Sequence, residues 1–188
     1  MLKTTALIIA LATSAAAAQA PARLPTVPQA RHLLEQAYAE NRAAFLAKDA
    51  DAVIRQRTSD FEATTPDGAK HGATEMADAT RRLIASVNEW VQIDLKLGDV
   101  SVSPTGLAAD VDQHTIRKQM RDGQLRRLEN WVTQRETWVE TPDGLKIRRV
   151  DNIRNQCVLI DGNPRDAGQE AACISRGVWK RTGKSERG

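Results

Sequence analysis

The sequence predicts an α+β fold in which a cone-shaped, curved antiparallel sheet wraps around N-terminal helices. Three observations carry that expectation. From Val91 to Ile153 the chain is rich in β-formers and is cut into four runs by Pro104-Thr105-Gly106, Arg121-Asp122-Gly123 and Pro142-Asp143-Gly144, each a Gly-centred turn signal. Upstream, apolar residues recur at helical spacing instead. Within the strands the alternation slips. Val91, Ile93, Leu95 and Leu97 share one face while Val100 and Val102 take the other parity, and Leu107, Ala109 and Val111 are followed by Ile116 out of phase. A side-chain period of two changes parity only where a residue is inserted, so bulges are expected near Leu97–Asp99 and Gln113–Thr115. Bulges bend strands, and the helices supply what a bent sheet can wrap.

The elements begin after a leader. Lys3, the apolar run Ala6 to Ala18 and the small-x-small site Ala18-Gln19-Ala20 read as a secretory signal peptide cut before Pro21, which places the protein in the periplasm or outside the cell. The run is shorter than the ~20 residues of a membrane span, and no later segment is more apolar, so no membrane insertion is expected. Loss of the leader removes Lys3 and no acid, lowering the net charge from +3 to +2. About 168 residues then remain, enough for one domain with a real core. Pro21 to Pro28 reads as an extended linker, residues 29–155 as the cone domain and residues 156–188 as a tail.

Gln29 to Lys48 is the first expected helix, because Leu34, Tyr38, Asn41 and Phe45 recur at intervals of four, three and four. Tyr38 and Asn41 are its polar members, and either sit at the stripe's edge in solvent or point into a cavity under the sheet. Asp49 is placed to N-cap a short helix through Arg57. Ser59 to Thr65 is a strand with Phe61 inward, Thr65-Pro66-Asp67-Gly68 a turn, and Ala69 to Gly72 the returning arm. A third helix is expected from Ala73 to Glu89, its stripe formed by Met76, Thr80, Leu83, Val87 and Trp90, with Arg81 and Arg82 outward. After the sheet, Cys157-Val158-Leu159-Ile160 and Cys173-Ile174 suggest a hairpin or flap laid against the domain. Its two cysteines, in an exported chain, are most simply a disulfide worth ~3 kcal/mol, with free thiols or half a metal site as the alternatives.

This order of elements resembles the nuclear-transport-factor-2-like superfamily, in its SnoaL-like, ketosteroid-isomerase-like branch. The residues that carry the resemblance are Phe45 to Val53 at the first helix junction, Asp67-Gly68-Ala69-Lys70-His71-Gly72, Thr137-Trp138-Val139 and Pro142 to Ile147. The resemblance spans about Gln29 to Asn155 and leaves out the cysteine-bearing tail. It implies a cystatin-like α+β roll, a cone whose mouth holds a small hydrophobic ligand, and homodimers through the outer sheet face. It also implies isomerases, polyketide cyclases, dehydratases or proteins without catalysis. In isomerases of this kind an acidic base stands directly before a Pro on the first strand arm. Here that position is Thr65, which cannot serve as a carboxylate base, and the family's oxyanion-binding tyrosine is matched only approximately by Tyr38 or Asn41.

Candidate site residues follow from the strands. His71 lies on the arm before the third helix, and His114 shares parity with Asp112, so a histidine–carboxylate acid/base pair is conceivable. The competing reading makes Asp110, Asp112 and His114 a solvated outer face opposite Ala109 and Val111. On the third long strand neither face is cleanly apolar, which suggests that one lines a partly polar cavity. Tyr38, Asn41, Phe61, Trp90, Trp131 and Arg135 are the expected pocket residues, Trp131 and Arg135 suiting an anionic or aromatic ligand. The competing reading is cross-strand packing of Trp131, with Arg135 paired to a neighbouring acid. The cluster Arg117, Lys118, Arg121, Arg126 and Arg127 lacks interleaved aromatics and reads as a solvated hairpin tip, so no nucleic acid is expected. The histidines His32, His71 and His114 have no ligand spacing and no phosphate loop or nucleophile elbow is present, so neither metal nor cofactor is expected. The leading expectation is an exported protein binding a small, mostly apolar or aromatic molecule without catalysis. The alternatives are an isomerase, cyclase or dehydratase using a pocket histidine, and a protein-interaction module.

Overall fold

The computed structural model describes residues 24–181. The expected leader, its cleavage site and the end of the basic tail lie outside them. Helices α1 (Val27–Leu46), α2 (Ala50–Arg55) and α3 (Ala73–Ser86) alternate with the short strands β1 (Arg57–Thr64) and β2 (Lys70–Gly72). Four long strands follow, β3 (Val87–Ser103), β4 (Gly106–Arg121), β5 (Gln124–Thr141) and β6 (Gly144–Ile160), then β7 (Asn163–Pro164) and α4 (Glu170–Ser175). The sheet runs β2-β1-β6-β5-β4-β3, with β7 added to β6. All pairings are antiparallel except β1 with β6. This is the expected α+β cone.

Local chemistry explains the helix ends. Thr26 caps α1, its N–H donating to the Gln29 side chain at 2.8 Å, and Pro28 falls in the first turn, where its missing N–H costs nothing. The helix therefore starts two residues before the sequence pattern suggests. Asp49 caps α2 by accepting from the Ala52 N–H at 2.8 Å. Asp49→Ala should cost about 1 kcal/mol, read as a thermal midpoint lower by roughly 2–4 °C in a calorimeter. A midpoint within half a degree of wild type would refute that role. Helix α3 ends at Ser86 rather than Glu89, because Val87, Glu89 and Trp90 pair in register with Gln119, Lys118 and Arg117 of β4. Trp90 is thus a strand residue.

The first expected bulge is present and the second is not. The β3–β4 register shifts between Leu97 and Val100, which keeps Leu95, Leu97, Val100 and Val102 all packed on the same core. A further shift between Trp90 and Gln92 turns Val91 out to solvent. Around Gln113–Thr115, by contrast, β4 pairs without interruption with both neighbours. Ile116 changes face relative to the apolar residues because those residues stop: Gln113, Thr115 and Arg117 continue the inner face as polar side chains. Ile116 belongs to the outer face and is buried there, in one row with Glu129 and Leu159.

Most of the curvature comes from β6. Between Cys157 and Ile147 it carries one residue more than β5 at each of three register shifts, and Asn152 and Asn155 adopt positive φ of 48° and 52°, which asparagine tolerates better than most residues. These bulges let the strand run on to Ile160, so Cys157 to Ile160 is the end of β6 rather than a separate flap strand. At the turn into β4, Gly106 has φ of 138°, and a Cβ there would come within 2.2 Å of the Trp138 carbonyl oxygen. Only glycine fits.

The core lies between α1 and the inner sheet face, where Leu34, Tyr38, Phe61, Val111 and Trp138 are buried together. The tail packs on the opposite face. Cys157 and Cys173 are bonded and cluster with Leu159, Trp131, Val178 and Trp179, while Arg176 reaches Asp112 and Thr133 at 2.8 Å each.

Candidate functional site

Helices α1 and α3 stand off the far half of the inner sheet and leave a cavity of about 280 Å³. Its wall is mainly apolar, with Phe45, Val53, Met76, Leu83, Ile93 and Ile147 contributing from α1, α2, α3, β3 and β6. Among the described residues, the tail contributes none of the lining. Polar groups enter at two places.

The first is Glu136 on β5, which is 2% exposed. Its Oε2 accepts from the Tyr38 hydroxyl at 2.6 Å and from Trp138 Nε1 at 3.1 Å, and its Oε1 accepts from Gln134 Nε2 at 2.6 Å. The Tyr38 and Trp138 rings meet edge to face at 5.2 Å, which fixes both donors. Burial pushes the Glu136 carboxyl above its ordinary range, against the opposing pull of these three donors and of the Arg57 charge. Burial, and then the neighbouring carboxylate, pushes the Tyr38 phenol up as well. Arg57 lies over the Phe61 ring at 5.0 Å and donates to Thr80 Oγ1 at 2.9 Å and to the Met76 carbonyl. Burial lowers its pKa while the charge of Glu136 raises it.

The second is Arg117 on β4, opposite Trp90 on β3. Its guanidinium sits 6.0 Å from the Trp90 ring centroid, and Nε donates to Gln119 at 3.3 Å. Burial, then the charge of Arg121, lowers its pKa. Arg117 was expected at a solvated hairpin tip. Three other members of that cluster are paired with acids nearer the surface, Lys118 with Glu89 and Arg126 with Asp161 at 2.8 Å each, and Arg127 with Glu129. Arg117 shares the inner face with Gln113 and Thr115 and lies further from the turn than Arg121 and Arg126, which have the same parity.

Of the residues expected at a site, Tyr38, Asn41, Phe61 and Trp90 line the cavity, Asn41 donating to Gln56 at 2.5 Å. Trp131 and Arg135 do not. They occupy the outer face of β5, where Trp131 stacks on His114 with centroids 4.3 Å apart and Arg135 pairs with Asp110 at 2.9 Å. Choosing the wrong one of two similar faces caused that error. His114 and Asp112 lie on the same outer face. Burial holds the His114 imidazole below its usual pKa. Burial pushes Asp112 up, but its bonds to Arg176 and Thr133 outweigh this and hold the carboxyl low. His71 is at the sheet edge, its Nδ1 2.7 Å from Glu75, and Thr65 bonds Asp67 within its own turn. None of these four faces the cavity. Sequence reading missed Glu136 and Arg117. The signal for Glu136 was available, a single acid on the Asn130, Val132, Gln134, Glu136, Trp138 face of a strand with no clean apolar side. Among the described residues no group of three or more His, Cys, Asp or Glu is gathered as a metal set would require, and no helix is long and apolar enough to cross a membrane.

No protein-family model matches the chain, and no curated protein does. Solved structures do. A provisionally named dehydratase of the NTF2-like family from Streptomyces avermitilis aligns over 66% of this chain and 95% of its own, with a TM-score of 0.56 and 15% identity. A ketosteroid isomerase-like protein from Erwinia carotovora atroseptica aligns over 72% and 95%, with a TM-score of 0.50 and 15% identity. An NTF2-like superfamily protein from Salmonella enterica serovar Typhimurium aligns over 69% and 92%, with a TM-score of 0.50 and 15% identity. At such identities the likeness is one of fold.

Proposed function

From the nuclear-transport-factor-2-like fold that this chain carries, we propose an exported protein that binds one small, mostly apolar molecule in the cone cavity without transforming it. The observation that carries this reading is the cavity of about 280 Å³, apolar in its walls and polar at two fixed places. A dry engineered cavity of ~150 Å³ holds benzene, so this one suits a ring system of roughly ten to fourteen non-hydrogen atoms. Binding without turnover is supported by the wiring of Glu136. Three protein donors already occupy its oxygens, so little acceptor capacity is left for a substrate proton. Export is supported by the Cys157–Cys173 bond, which belongs to an oxidising compartment.

One observation favours a second reading, an enzyme of the isomerase, cyclase or dehydratase kind. The Glu136 carboxyl is raised by burial and sits against the Tyr38 hydroxyl in the cavity wall, a pairing that could move a proton at an activated carbonyl compound. In this reading Glu136, not His71 or His114, is the acid/base group.

Native mass spectrometry of protein secreted by an exporting host, followed by denaturing extraction, tests the first reading. The expected result is a polypeptide beginning at Pro21 with one small molecule per chain, absent from Leu83→Trp, whose indole fills the cavity. Empty wild-type protein that takes up no ring compound would count against binding. Recovery of a substrate–product mixture, frozen to substrate alone in Glu136→Gln, would favour the enzyme.

A further inference from the structure

We propose that the Arg117 end of the cavity is a carboxylate subsite, taking a ring-bodied acid that carries a hydroxyl beside its carboxylate. The inference deepens the binding reading above and rests on it. Three unmet groups meet there. Arg117 has no acid within salt-bridge distance among the described residues, and only its Nε makes a hydrogen bond, leaving both terminal nitrogens free. Trp90 Nε1 is buried with no acceptor, and Asn130 Oδ1 is buried with no donor. All three residues line the same cavity. Strand register places them together: Trp90 is directly opposite Arg117, and Asn130 is opposite Thr115, one inward position along β4 from Arg117.

The chemistry of the ligand follows from what these groups lack. A half-buried guanidinium without a counter-charge and an orphaned indole N–H both want an anionic acceptor, and one carboxylate can serve both. The charge is single because this end of the cavity offers one guanidinium: the second cavity arginine, Arg57, is engaged with Thr80 Oγ1, the Met76 carbonyl and the Phe61 ring. Asn130 presents an acceptor and so calls for a donor, which a hydroxyl next to the carboxylate supplies. The apolar corner made by Trp90 and Phe45, whose rings meet edge to face at 5.4 Å, takes the ring body. A doubly charged phosphate would leave one charge uncompensated in this site, and is disfavoured for that reason.

Calorimetric titration with 3-hydroxy-2-naphthoate and with its uncharged amide, on wild-type protein, Arg117→Gln and Arg117→Lys, tests the subsite. Wild type should bind the acid about 10- to 100-fold more tightly than the amide, the range expected for a charge-assisted pair in a half-buried site. Arg117→Gln should abolish that preference by weakening the acid far more than the amide, and Arg117→Lys should restore part of it. Equal affinities for acid and amide in wild type would overturn the carboxylate subsite and leave the cavity reading standing. Binding of neither probe would overturn both. A preference that persists in Arg117→Gln would place the anion elsewhere and overturn the assignment.

Discussion

Glu136→Ala should unfold about 10 °C below wild type, whereas Glu136→Gln should equal or exceed wild type at neutral pH and above. Alanine leaves the Tyr38 hydroxyl, Trp138 Nε1 and Gln134 Nε2 facing a hole where their acceptor was. Orphaned buried donors cost about 1–3 kcal/mol each and relax only in part, so a net loss of roughly 3–5 kcal/mol is expected, or 2–4 °C of midpoint per kcal/mol in a domain of this size. Glutamine keeps the acceptor. Its side-chain oxygen can take Tyr38 and Trp138, and its amide can donate to Gln134 once that amide turns over. It also removes the ionisation that burial opposes. The sign follows from linkage. The folded-state pKa of Glu136 is raised above the unfolded value of about 4.3, so the group's contribution is fully present below that pH and is lost as pH rises through the folded value. Glutamine suffers no such loss. The stability difference between Glu136→Gln and wild type should therefore be pH-independent below about pH 3 and move in favour of glutamine as pH rises from there. Denaturant melts at a series of pH values measure it directly. A difference that stays flat across the series would mean that Glu136 is ionised in the fold at little cost.

The fold was legible in this sequence for a reason that also explains what was not. Turns such as Asp122-Gly123 and Pro142-Asp143-Gly144 are local, and their backbone demands can be met by few residues, so they mark strand ends unambiguously. The Leu97–Val100 bulge was readable because apolar residues stand on both sides of it and must reach the same core. The false bulge at Gln113–Thr115 shows the limit of that logic. Parity of apolar residues reports which face is buried only while a single core lies behind the sheet. On β4 the inner face passes from core to cavity at Gln113, and on the outer face Ile116 is buried in one row with Glu129 and Leu159, so the apolar pattern changes sides although the strand does not. The same ambiguity hid the site. On β5 both faces are mixed, one because it lines a cavity with Asn130, Gln134 and Glu136, the other because Arg176 and the tail cover Thr133 and Trp131. Contacts across more than 40 residues, such as Arg176 to Asp112, leave no trace in a local pattern.

The outer face also carries the other large effect. The Cys157→Ser, Cys173→Ser double variant should lose about 3 kcal/mol, because the bond closes a loop with a sequence separation of 16 and so restricts the unfolded chain. A thermal midpoint roughly 6–12 °C lower is expected. Structurally the bond holds α4 against the end of β6, where β1 no longer pairs and only the two residues of β7 extend the sheet. The remaining ties are Arg176 to Asp112 and Thr133, the Gln169 side chain accepting from the Val158 N–H at 2.8 Å, and the packing of Val178 and Trp179 near Trp131. Arg176 pairs with a carboxylate that is nearly half exposed, which is worth little once the loop can open. Amide exchange should therefore accelerate in residues 157–178 of the variant and stay unchanged in β3, β4 and α1. The cavity lies on the other side of the sheet and among the described residues borrows none from the tail, so ring-compound affinity should change by less than about twofold while the variant remains folded. Slow exchange in α4 without the bond would show that packing alone holds the tail, and a collapse of cavity binding in folded variant would show that the two faces of the sheet are coupled through β5 and β6.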